Sequence, residues 1–360
     1  MKLMTMRASH HYDIHGIIRI RSTHRLPELA FFKTEEPLEK VDIEVRTVGN
    51  PAAHKRDDSI SYQELFGNFG FSIVINRDPE KSEIFASPLI GLSPHVLYTN
   101  VVEPLLRWTL VRKGFALMHG ACITFEGQAI FITARTDTGK TTTILQTMRN
   151  NVESCQFLSD DMTIFSRDGL ARSYPKPLTI SQHTLQAVGA APLTFGENLF
   201  LQLQSRLHSR GGRRAGMWLS DSGFPAATLN AIVQFVIPPP KFMVDRLIPG
   251  AHYAEVAELN HIVLIERGPD FEAPLEAGDM VGLLLENADD AYGFPPYPVL
   301  ADELSSWEGA SLHEAERDIV TEAIEGKPGL HLSSSNYSWY KRFPQLVEEP
   351  EYWPGSVSTP

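Results

Sequence analysis

The chain has 360 residues, 42% of them hydrophobic and 21% charged, and its formal net charge is −12. These proportions are typical of a globular protein with room for two or three domains. The acidic balance argues against a nucleic-acid partner, since proteins that bind nucleic acids are usually basic. No apolar stretch reaches the length of a membrane span, and the first six residues lack the apolar centre of a signal peptide, so we expect no membrane partner.

The two cysteines of the chain, Cys122 and Cys155, lie in apolar, strand-like surroundings. Such surroundings favour buried, reduced thiols over a disulfide bond, and reduced thiols are typical of the cytosol. The expected location is therefore cytoplasmic.

Residues 1–98 are predicted to form a separate β-rich domain whose role stays open. Apolar and polar residues alternate there in four stretches, a pattern typical of an antiparallel sheet with one face in water. The stretches are 12–22, 41–48, 71–75 and 82–86. The histidines of this domain lack cysteine neighbours and helical spacing, so we interpret them as surface residues and not as metal ligands; they are His10, His11, His15 and His24.

Residues 99–360 are predicted to form a nucleotide-binding domain. It begins with a helix over residues 100–113, where apolar residues recur at helical spacing. Residues 129–132 form an apolar run typical of a buried strand, and residues 142–148 form a helix-like run. The loop between these runs matches the phosphate-binding pattern G-x-x-x-x-G-K-[ST] except at its first glycine; its residues are Ala134, Arg135, Thr136, Asp137, Thr138, Gly139, Lys140 and Thr141.

We expect this P-loop, together with Thr142 at the start of the helix, to bind the phosphates of ATP. Gly139 lets the backbone approach the phosphates, Lys140 reaches the terminal phosphates, and the Thr141 hydroxyl binds Mg²⁺. Ala134 stands where the pattern has glycine, and alanine adopts a positive φ less readily than glycine does. This replacement bears on nucleotide affinity more than on the fold.

An acidic pair, Asp160 and Asp161, follows a strand that is predicted over residues 156–159. Carboxylates at the carboxyl end of a strand in an open α/β sheet are typical of a metal site, so we expect Asp160 to bind Mg²⁺ together with Thr141. The alternative interpretation is a simple turn between two strands. The P-loop shortly upstream favours the metal site.

In their order along the chain, these elements resemble the C-terminal domain of HPr kinase/phosphorylase and the shorter HPr-kinase-like proteins. The resemblance extends over about residues 101–180 and rests on four features, which are Met118-His119-Gly120-Ala121, the turn Glu126-Gly127, the P-loop and Leu158-Ser159-Asp160-Asp161. It implies a P-loop kinase core of the type that includes phosphoenolpyruvate carboxykinase. It also implies that His119 lies beside the phosphates. The two aspartates would divide metal binding and proton abstraction from the acceptor hydroxyl, with their individual roles open.

An arginine-rich segment, residues 205–214, contains four arginines and two glycines. Arginine matches the geometry of phosphate oxygens, so this segment is either a loop that clamps phosphates or an exposed loop without a binding role. We interpret Arg246 as an ion-pairing residue at a strand edge rather than as a phosphate contact. Glu266-Arg267-Gly268 is interpreted as the exit from a strand.

The remaining elements are predicted from their periodicity. Residues 162–174 favour a β-hairpin, and residues 231–237 and 260–268 favour two buried strands. From about residue 270 to residue 360 the chain is predicted to be largely helical. That part includes a helix over residues 312–324 and a last element over residues 336–348.

The overall prediction is an α/β protein, α+β when the N-terminal domain is included, that transfers phosphate from ATP to a hydroxyl group with Mg²⁺. The acceptor that the resemblance implies is a serine of a protein or peptide. His119, Lys140, Asp160 and Asp161 are the expected catalytic residues. Two alternatives stay open, a nucleotide-binding regulatory protein without catalysis and a small-molecule kinase on the same core. Homo-oligomers occur in the resembling family, and this protein's oligomeric state is open.

Overall fold

The computed structural model describes residues 9–66, 69–135, 138–180, 184–185, 225–236, 238 and 241–348. The chain divides into two compact units. The first consists of Met1–Leu110, Gln202–Pro239 and Tyr292–Ala310, and the second consists of Val111–Leu201, Pro240–Ala291 and Ser311–Pro360. The predicted border between residues 98 and 99 stays a prediction, and the first unit also takes in segments from the second half of the chain.

Helices and strands are mixed along the chain, which confirms the α/β class. Within the described residues the strands are β1 His10–Ile14, β2 Ile18–Ser22, β3 Lys33–Thr34, β4 Ile43–Thr47, β5 Ile60–Phe66, β6 Phe69–Asn76, β7 Ser82–Ala86, β8 Phe115–His119, β9 Ala121–Phe125, β10 Gln128–Thr133, β11 Cys155–Ser159, β12 Met162–Ser166, β13 Leu170–Arg172, β14 His252–Tyr253, β15 Val256–Arg267, β16 Phe271–Leu275, β17 Ser306–Trp307, β18 Ala310–Ser311 and β19 Gly329–Ser334.

The α-helices of the same residues are α1 Pro88–Leu92, α2 Pro94–Leu97, α3 Glu103–Arg112, α4 Lys140–Asn150, α5 Ala226–Val236, α6 Val244–Leu247, α7 Ala277–Asp290, α8 Tyr297–Leu304, α9 Leu312–Ala323 and α10 Phe343–Glu348. Short 3-10 turns lie at Pro27–Phe32, Pro51–His54 and Ser338–Lys341, and a π-type turn at Tyr98–Val102 precedes α3. None of the described helices combines the length and the apolar character needed to cross a membrane.

The first unit contains a mixed sheet, whose order among the described residues is β3-β1-β2-β4-β7-β6-β5. The prediction of an antiparallel sheet is wrong at its centre, because β2, β4 and β7 are parallel. The stretch 12–22 is a hairpin and not one strand, since His15 and Gly16 turn the chain with φ angles of 54° and 70°. Alternation alone does not record where a strand reverses.

A charged cluster joins the parallel strands at the centre of this sheet. The Glu44 carboxylate on β4 accepts ion pairs from Arg21 on β2, from Arg46 on its own strand and from Lys81 next to β7. Burial alone would raise the pKa of Glu44, but these cations together lower it to about 2. The buried carboxylate is therefore paired on both sides, as a charge in a sheet interior must be.

Residues 231–236 form the end of helix α5, so the prediction of a buried strand over residues 231–237 is wrong for the described part of that range. Ala227, Ala231 and Gln234 recur at helical spacing and are buried, whereas Phe235 and Val236 are 51% and 63% exposed. The Glu64 carboxylate on β5 accepts hydrogen bonds from the amides of Ala227, at 2.8 Å, and Thr228, at 3.2 Å. This long-range cap satisfies amide donors in the first turn.

The sheet of the second unit positions the P-loop. Its order is β14-β11-β9-β10-β15-β13-β12-β8 among the described residues, and β19 runs beside the second half of β15 and pairs with β16. β10, β15 and β19 are parallel, so their carboxyl ends lie along one edge. Helix α4 contributes Ile144, Leu145 and Met148 to the buried cluster that also holds Ile130 and Ile132 of β10.

Two breaks between consecutive strands form a corner of the sheet, and this corner positions His119 and the acidic pair. Gly120 separates β8 from β9, and Asp160 and Asp161 separate β11 from β12. β8 pairs with β12 and β9 pairs with β11, so the two breaks face each other. The Gly120 amide donates to the Asp161 carbonyl oxygen at 3.0 Å. His119 and the aspartates are thereby brought together by the register of the sheet.

Several predicted elements of the second unit are confirmed. The hairpin over residues 162–174 corresponds to β12 and β13, the strand over residues 260–268 lies within β15, and the helix over residues 312–324 is α9. The C-terminal part is less helical than predicted, because β16 and β19 form an antiparallel pair within it. The arginine-rich segment 205–214 and the residues after 348 lie outside the described residues.

Candidate functional site

The predicted P-loop follows β10 at the edge formed by the parallel strands. Ala134 is fully buried and belongs to the same apolar cluster as Ile132 and Ile144. It is not among the described residues with a positive φ. The expectation that alanine weakens this position through backbone strain is therefore wrong, because its methyl group packs in the core and its φ is ordinary.

Gly139 forms the turn from the loop into helix α4. Its φ is +118°, a value that side chains rarely adopt, and a Cβ atom there would lie 3.1 Å from the Tyr337 ring. The Gly139 carbonyl accepts hydrogen bonds from the amide and the hydroxyl of Thr143, each at 3.0 Å. The first turn of α4, with Lys140, Thr141 and Thr142, therefore begins directly at the glycine, where a helix presents amides to an anion.

Arg267 at the end of β15 braces the loop from the neighbouring strand. Its Nε donates to the Thr138 carbonyl oxygen at 2.8 Å, and its guanidinium lies 4.6 Å from the centre of the Tyr337 ring. Tyr337 itself has a left-handed backbone, with φ 62°, and lies against Gly139. Arg267 is the last residue of β15, which agrees with the interpretation of Glu266-Arg267-Gly268 as a strand exit, and its side chain also contacts the loop that the sequence singled out.

We expect Arg267→Ala to weaken ATP binding roughly tenfold, because it removes one hydrogen bond and one cation–π contact that fix Thr138 and Gly139. Calorimetric titration with Mg²⁺–ATP measures the change. Arg342→Ala is the matched control, since Arg342 pairs with Glu272 at 2.8 Å and is 18% exposed. Equal affinities of the two variants would contradict a bracing role for Arg267.

Asp160 lies beside the first turn of α4. Its Oδ2 accepts a hydrogen bond from the Thr141 hydroxyl at 3.0 Å, while its Oδ1 is buried and has no hydrogen-bond partner among the described residues. Burial and the neighbouring Asp161 raise the pKa of Asp160 to about 6, and Thr141 and Lys140 oppose them. A buried carboxylate oxygen without a partner is destabilising unless a ligand satisfies it.

His119 is a neutral imidazole in this site. Burial and the adjacent Lys140 lower its pKa to about 4. Its Nδ1 lies 2.9 Å from the Asn287 carbonyl oxygen, which only accepts, so Nδ1 carries the proton and donates. Its Nε2 accepts from the Lys140 ammonium at 3.0 Å. The Asn287 side chain on α7 donates to the Thr133 hydroxyl at 2.7 Å, which ties His119 to the end of β10.

Asp161 is the exposed member of the acidic pair, with a side chain that is 47% exposed. Its Oδ1 is 3.6 Å from His119 Nε2, and its Oδ2 forms an ion pair with Lys176. Partial burial would raise its pKa, but Lys176, His119 and Lys140 together hold that pKa below the ordinary value. Asp161 is thus an ionised carboxylate at the open side of the site.

The structure brings five of the predicted site residues together, which are His119, Lys140, Thr141, Asp160 and Asp161. Thr142 lies 3.2 Å from Thr184 through their hydroxyl oxygens, and Arg135 is exposed. Thr136 and Asp137 lie outside the described residues. Arg246 is exposed on α6.

Sequence reasoning missed Lys176, Arg267, Asn287 and Tyr337. Lys176 carried one signal, since it stands between two prolines directly after the hairpin.

Within the described residues, no group of three or more histidine, cysteine or acidic side chains is arranged to hold a metal ion. Mg²⁺ is commonly bound by a smaller set, with one or two carboxylates and with oxygens of the substrate's phosphates. Asp160 and Thr141 offer such a partial set of ligands. A comparison with protein-family models found no family that matches the chain, and a search of the curated proteins found no relative.

Proposed function

We propose that the second unit binds Mg²⁺–ATP and transfers its terminal phosphoryl group to a hydroxyl, on a P-loop kinase core similar to that of HPr kinase/phosphorylase. One observation carries the proposal. The hydroxyl of Thr141 and the carboxylate of Asp160 meet at 3.0 Å beside Lys140, and the second oxygen of that carboxylate is buried with no partner in the part of the chain that the structure describes. An oxygen pair of this kind, at the carboxyl edge of parallel strands, suits a hard cation that also binds phosphates.

The side chains of the site divide into a metal-binding side, described first, and an acceptor side. Lys140, the first turn of α4 and Thr141 hold the phosphates and the cation, and Asp160 Oδ1 gains a partner when the cation is bound. Mg²⁺ supplies neutralisation of the charge on the phosphate oxygens when it is bound. Neutral His119 accepts from the Lys140 ammonium and so directs it. The half-buried Asp160 and Thr141 thus form the metal-binding side of the site.

Asp161 forms the acceptor side, because its half-exposed carboxylate is the one that a hydroxyl group from solution reaches. Asp161 takes the proton of the acceptor hydroxyl. The acceptor oxygen forms the new bond to the γ-phosphorus, while the bond between that phosphorus and the β–γ bridging oxygen breaks and ADP leaves. The proposed acceptor is a serine of a protein or peptide.

We also propose a cytoplasmic location. Cys122 and Cys155 are free and buried, and burial raises the pKa of Cys155 to about 12 and that of Cys122 beyond its ordinary range. Thiols in this state are typical of a reducing compartment.

The two aspartates are expected to respond differently to removal of charge. Asp160→Asn should weaken Mg²⁺–ATP binding, because asparagine supplies no negative charge to the cation. Asp161→Asn should keep binding within a factor of about three but reduce phosphoryl transfer by roughly 10²- to 10⁴-fold, the usual contribution of a general base.

Binding is measured by calorimetry, and transfer by γ-labelled ATP with serine peptides in one arm and small hydroxyl compounds in the other. Asp279→Asn is the matched control, an exposed carboxylate at the start of α7 in the same unit. If label enters only the small compounds, the acceptor is a small molecule and not a serine of a protein or peptide. If the wild-type protein binds ATP but transfers phosphate in neither arm, the alternative of a regulatory nucleotide-binding protein replaces the kinase.

A further inference from the structure

Lys176 has a backbone that is held on both sides. It lies between Pro175 and Pro177, which restrict φ on either side of it. Just before it, the Tyr174 amide donates to the Leu158 carbonyl at 3.1 Å, and just after it, Leu178 and Phe242 exchange backbone hydrogen bonds at 2.7 and 3.0 Å. The Lys176 side chain is only 11% exposed. A long cationic side chain is thus fixed next to the acidic pair.

Lys176 contributes to the charge balance of the site and pairs with Asp161. Two ammonium groups, Lys140 and Lys176, face two carboxylates, Asp160 and Asp161, and His119 between them is neutral. The charge of Lys176 acts on both carboxylates and on Lys140. A largely buried ammonium group requires an anionic partner at all times. When Asp161 takes a proton from an acceptor hydroxyl it loses its charge, and an anionic oxygen of the substrate then attracts the Lys176 ammonium more strongly than Asp161 does.

We propose that Lys176 is a second phosphate-binding residue of the site. It pairs with Asp161 before nucleotide binds and with the oxygens of the transferred phosphoryl group in the loaded site. The inference rests on the proposed function and deepens it. An ammonium on the acceptor side complements the charge that spreads over the three peripheral oxygens of the phosphoryl group during transfer. Lys140 binds the same phosphates from the side of the P-loop.

A second lysine of the unit provides a matched comparison. Lys327 pairs with Glu258 at 3.3 Å, and its side chain is 22% exposed, so it resembles Lys176 in pairing and in partial burial. Its carboxylate partner is at the start of β15, whereas the P-loop edge lies at the strand's other end. Ion pairs with an exposed member contribute little to stability. A role confined to the ion pair with Asp161 would make Lys176→Met affect ATP and ADP binding alike, whereas Lys327→Met controls for the loss of a paired, partly buried lysine away from the site.

The test compares ATP with ADP, because only ATP carries the phosphoryl group that Lys176 would contact. Calorimetric titrations of wild type, Lys176→Met, Lys176→Arg and Lys327→Met are made with each nucleotide in the presence of Mg²⁺. We expect Lys176→Met to lose roughly 10- to 100-fold in affinity for ATP and less than about threefold for ADP. Lys176→Arg should retain most of the preference for ATP, and Lys327→Met should match wild type.

A further titration distinguishes a phosphoryl group that belongs to the nucleotide from free inorganic phosphate. Inorganic phosphate is titrated into the Mg²⁺–ADP complex of wild type and of Lys176→Met. Binding that is lost in the variant supports contact with the phosphoryl group itself, whether it comes from nucleotide or from solution. Circular dichroism and thermal melting without ligand establish that each variant is folded. If Lys176→Met does not fold, Lys176→Gln replaces it in every arm.

Three results would overturn the inference. If Lys176→Met binds ATP as tightly as Lys327→Met does, Lys176 is only the structural partner of Asp161, and the proposed kinase function stands. Equal losses for ATP and ADP would place Lys176 on the inner phosphates and not on the transferred group. A wild-type protein that binds neither nucleotide would overturn the proposed function, and this inference with it.

Discussion

Lys140→Met should abolish Mg²⁺–ATP binding, with a loss of at least roughly 100-fold in affinity. Burial lowers the pKa of Lys140, and the carboxylates of Asp161 and Asp160 oppose that effect, so the ammonium is a charge held in a confined site. Methionine has a similar length and helix propensity, and it removes only the charge and the hydrogen bond to His119. The phosphates then lose their main contact on the P-loop side, while both aspartates stay.

Arg149→Gln is the control for Lys140→Met, because it removes a positive charge from the exposed far end of the same helix. The two variants are titrated with Mg²⁺–ATP by calorimetry and melted without ligand. Binding by Lys140→Met at the wild-type affinity would exclude a phosphate-binding P-loop. Loss of binding in a protein with an unchanged melting temperature would assign the effect to the site and not to folding.

The parts of the site that sequence reasoning located are close together along the chain. Strand β10, the P-loop and helix α4 occupy consecutive residues, so apolar periodicity and one glycine–lysine–threonine run predict them together. The acidic pair follows one strand later, at the end of β11. Local sequence patterns can predict this part of the site because its geometry depends on consecutive residues of the backbone.

The residues that were missed reach the site through the sheet. Arg267 arrives because β15 runs parallel to β10 and ends at the same edge, and Tyr337 follows β19, the next parallel strand. Asn287 reaches His119 from α7, and Lys176 reaches Asp161 after the hairpin of β12 and β13. No spacing in the sequence records which strands become neighbours, so these contacts follow from topology alone.

The error at residues 231–236 has a similar cause. A run of alanine, isoleucine, valine and phenylalanine is compatible with a buried strand or with a helix, and length and neighbours decide between them. Here the decisive neighbour is Glu64, which caps the amides of Ala227 and Thr228 from a strand more than 160 residues away. The cap fixes a helix whose buried side is made of small residues and whose Phe235 is exposed.

The largest effect on stability is expected for a substitution of Gly120, the glycine at the corner of the site. A Cβ atom at Gly120 would lie 2.7 Å from Cε2 and 2.8 Å from Cε1 of Phe131, and closer still to Cζ. Phe131 is fully buried and packs edge-on against Phe165, with ring centres 4.8 Å apart. Both rings are fully buried, so a shift of Phe131 to make room disturbs the packed core. Gly120→Ala should therefore destabilise the protein by about 3 kcal/mol, which lowers the melting temperature by roughly 6–12 °C.

Gly278→Ala is the control for Gly120→Ala, because among the described residues no atom outside the adjoining residues and helix backbone lies within 4 Å of a Cβ at that position, and its φ is not positive. Gly278 lies inside α7, where alanine is the better helix former, so this variant should be neutral or more stable by up to about 1 kcal/mol. Calorimetric melting of both variants measures the difference. Equal melting temperatures would contradict a steric role for Gly120.

A double-mutant cycle identifies the ring as the cause. Phe131→Leu alone should destabilise by about 1 kcal/mol through lost packing, whereas Gly120→Ala combined with Phe131→Leu should be more stable than the sum of the single changes. Strict additivity would mean that the strain lies elsewhere, for instance in the hydrogen bond from the Gly120 amide to the Asp161 carbonyl. Because that bond positions Asp161, the proposed proton acceptor, relief of the clash should also restore phosphoryl transfer that Gly120→Ala loses, which links the packing of the corner to the chemistry of the site.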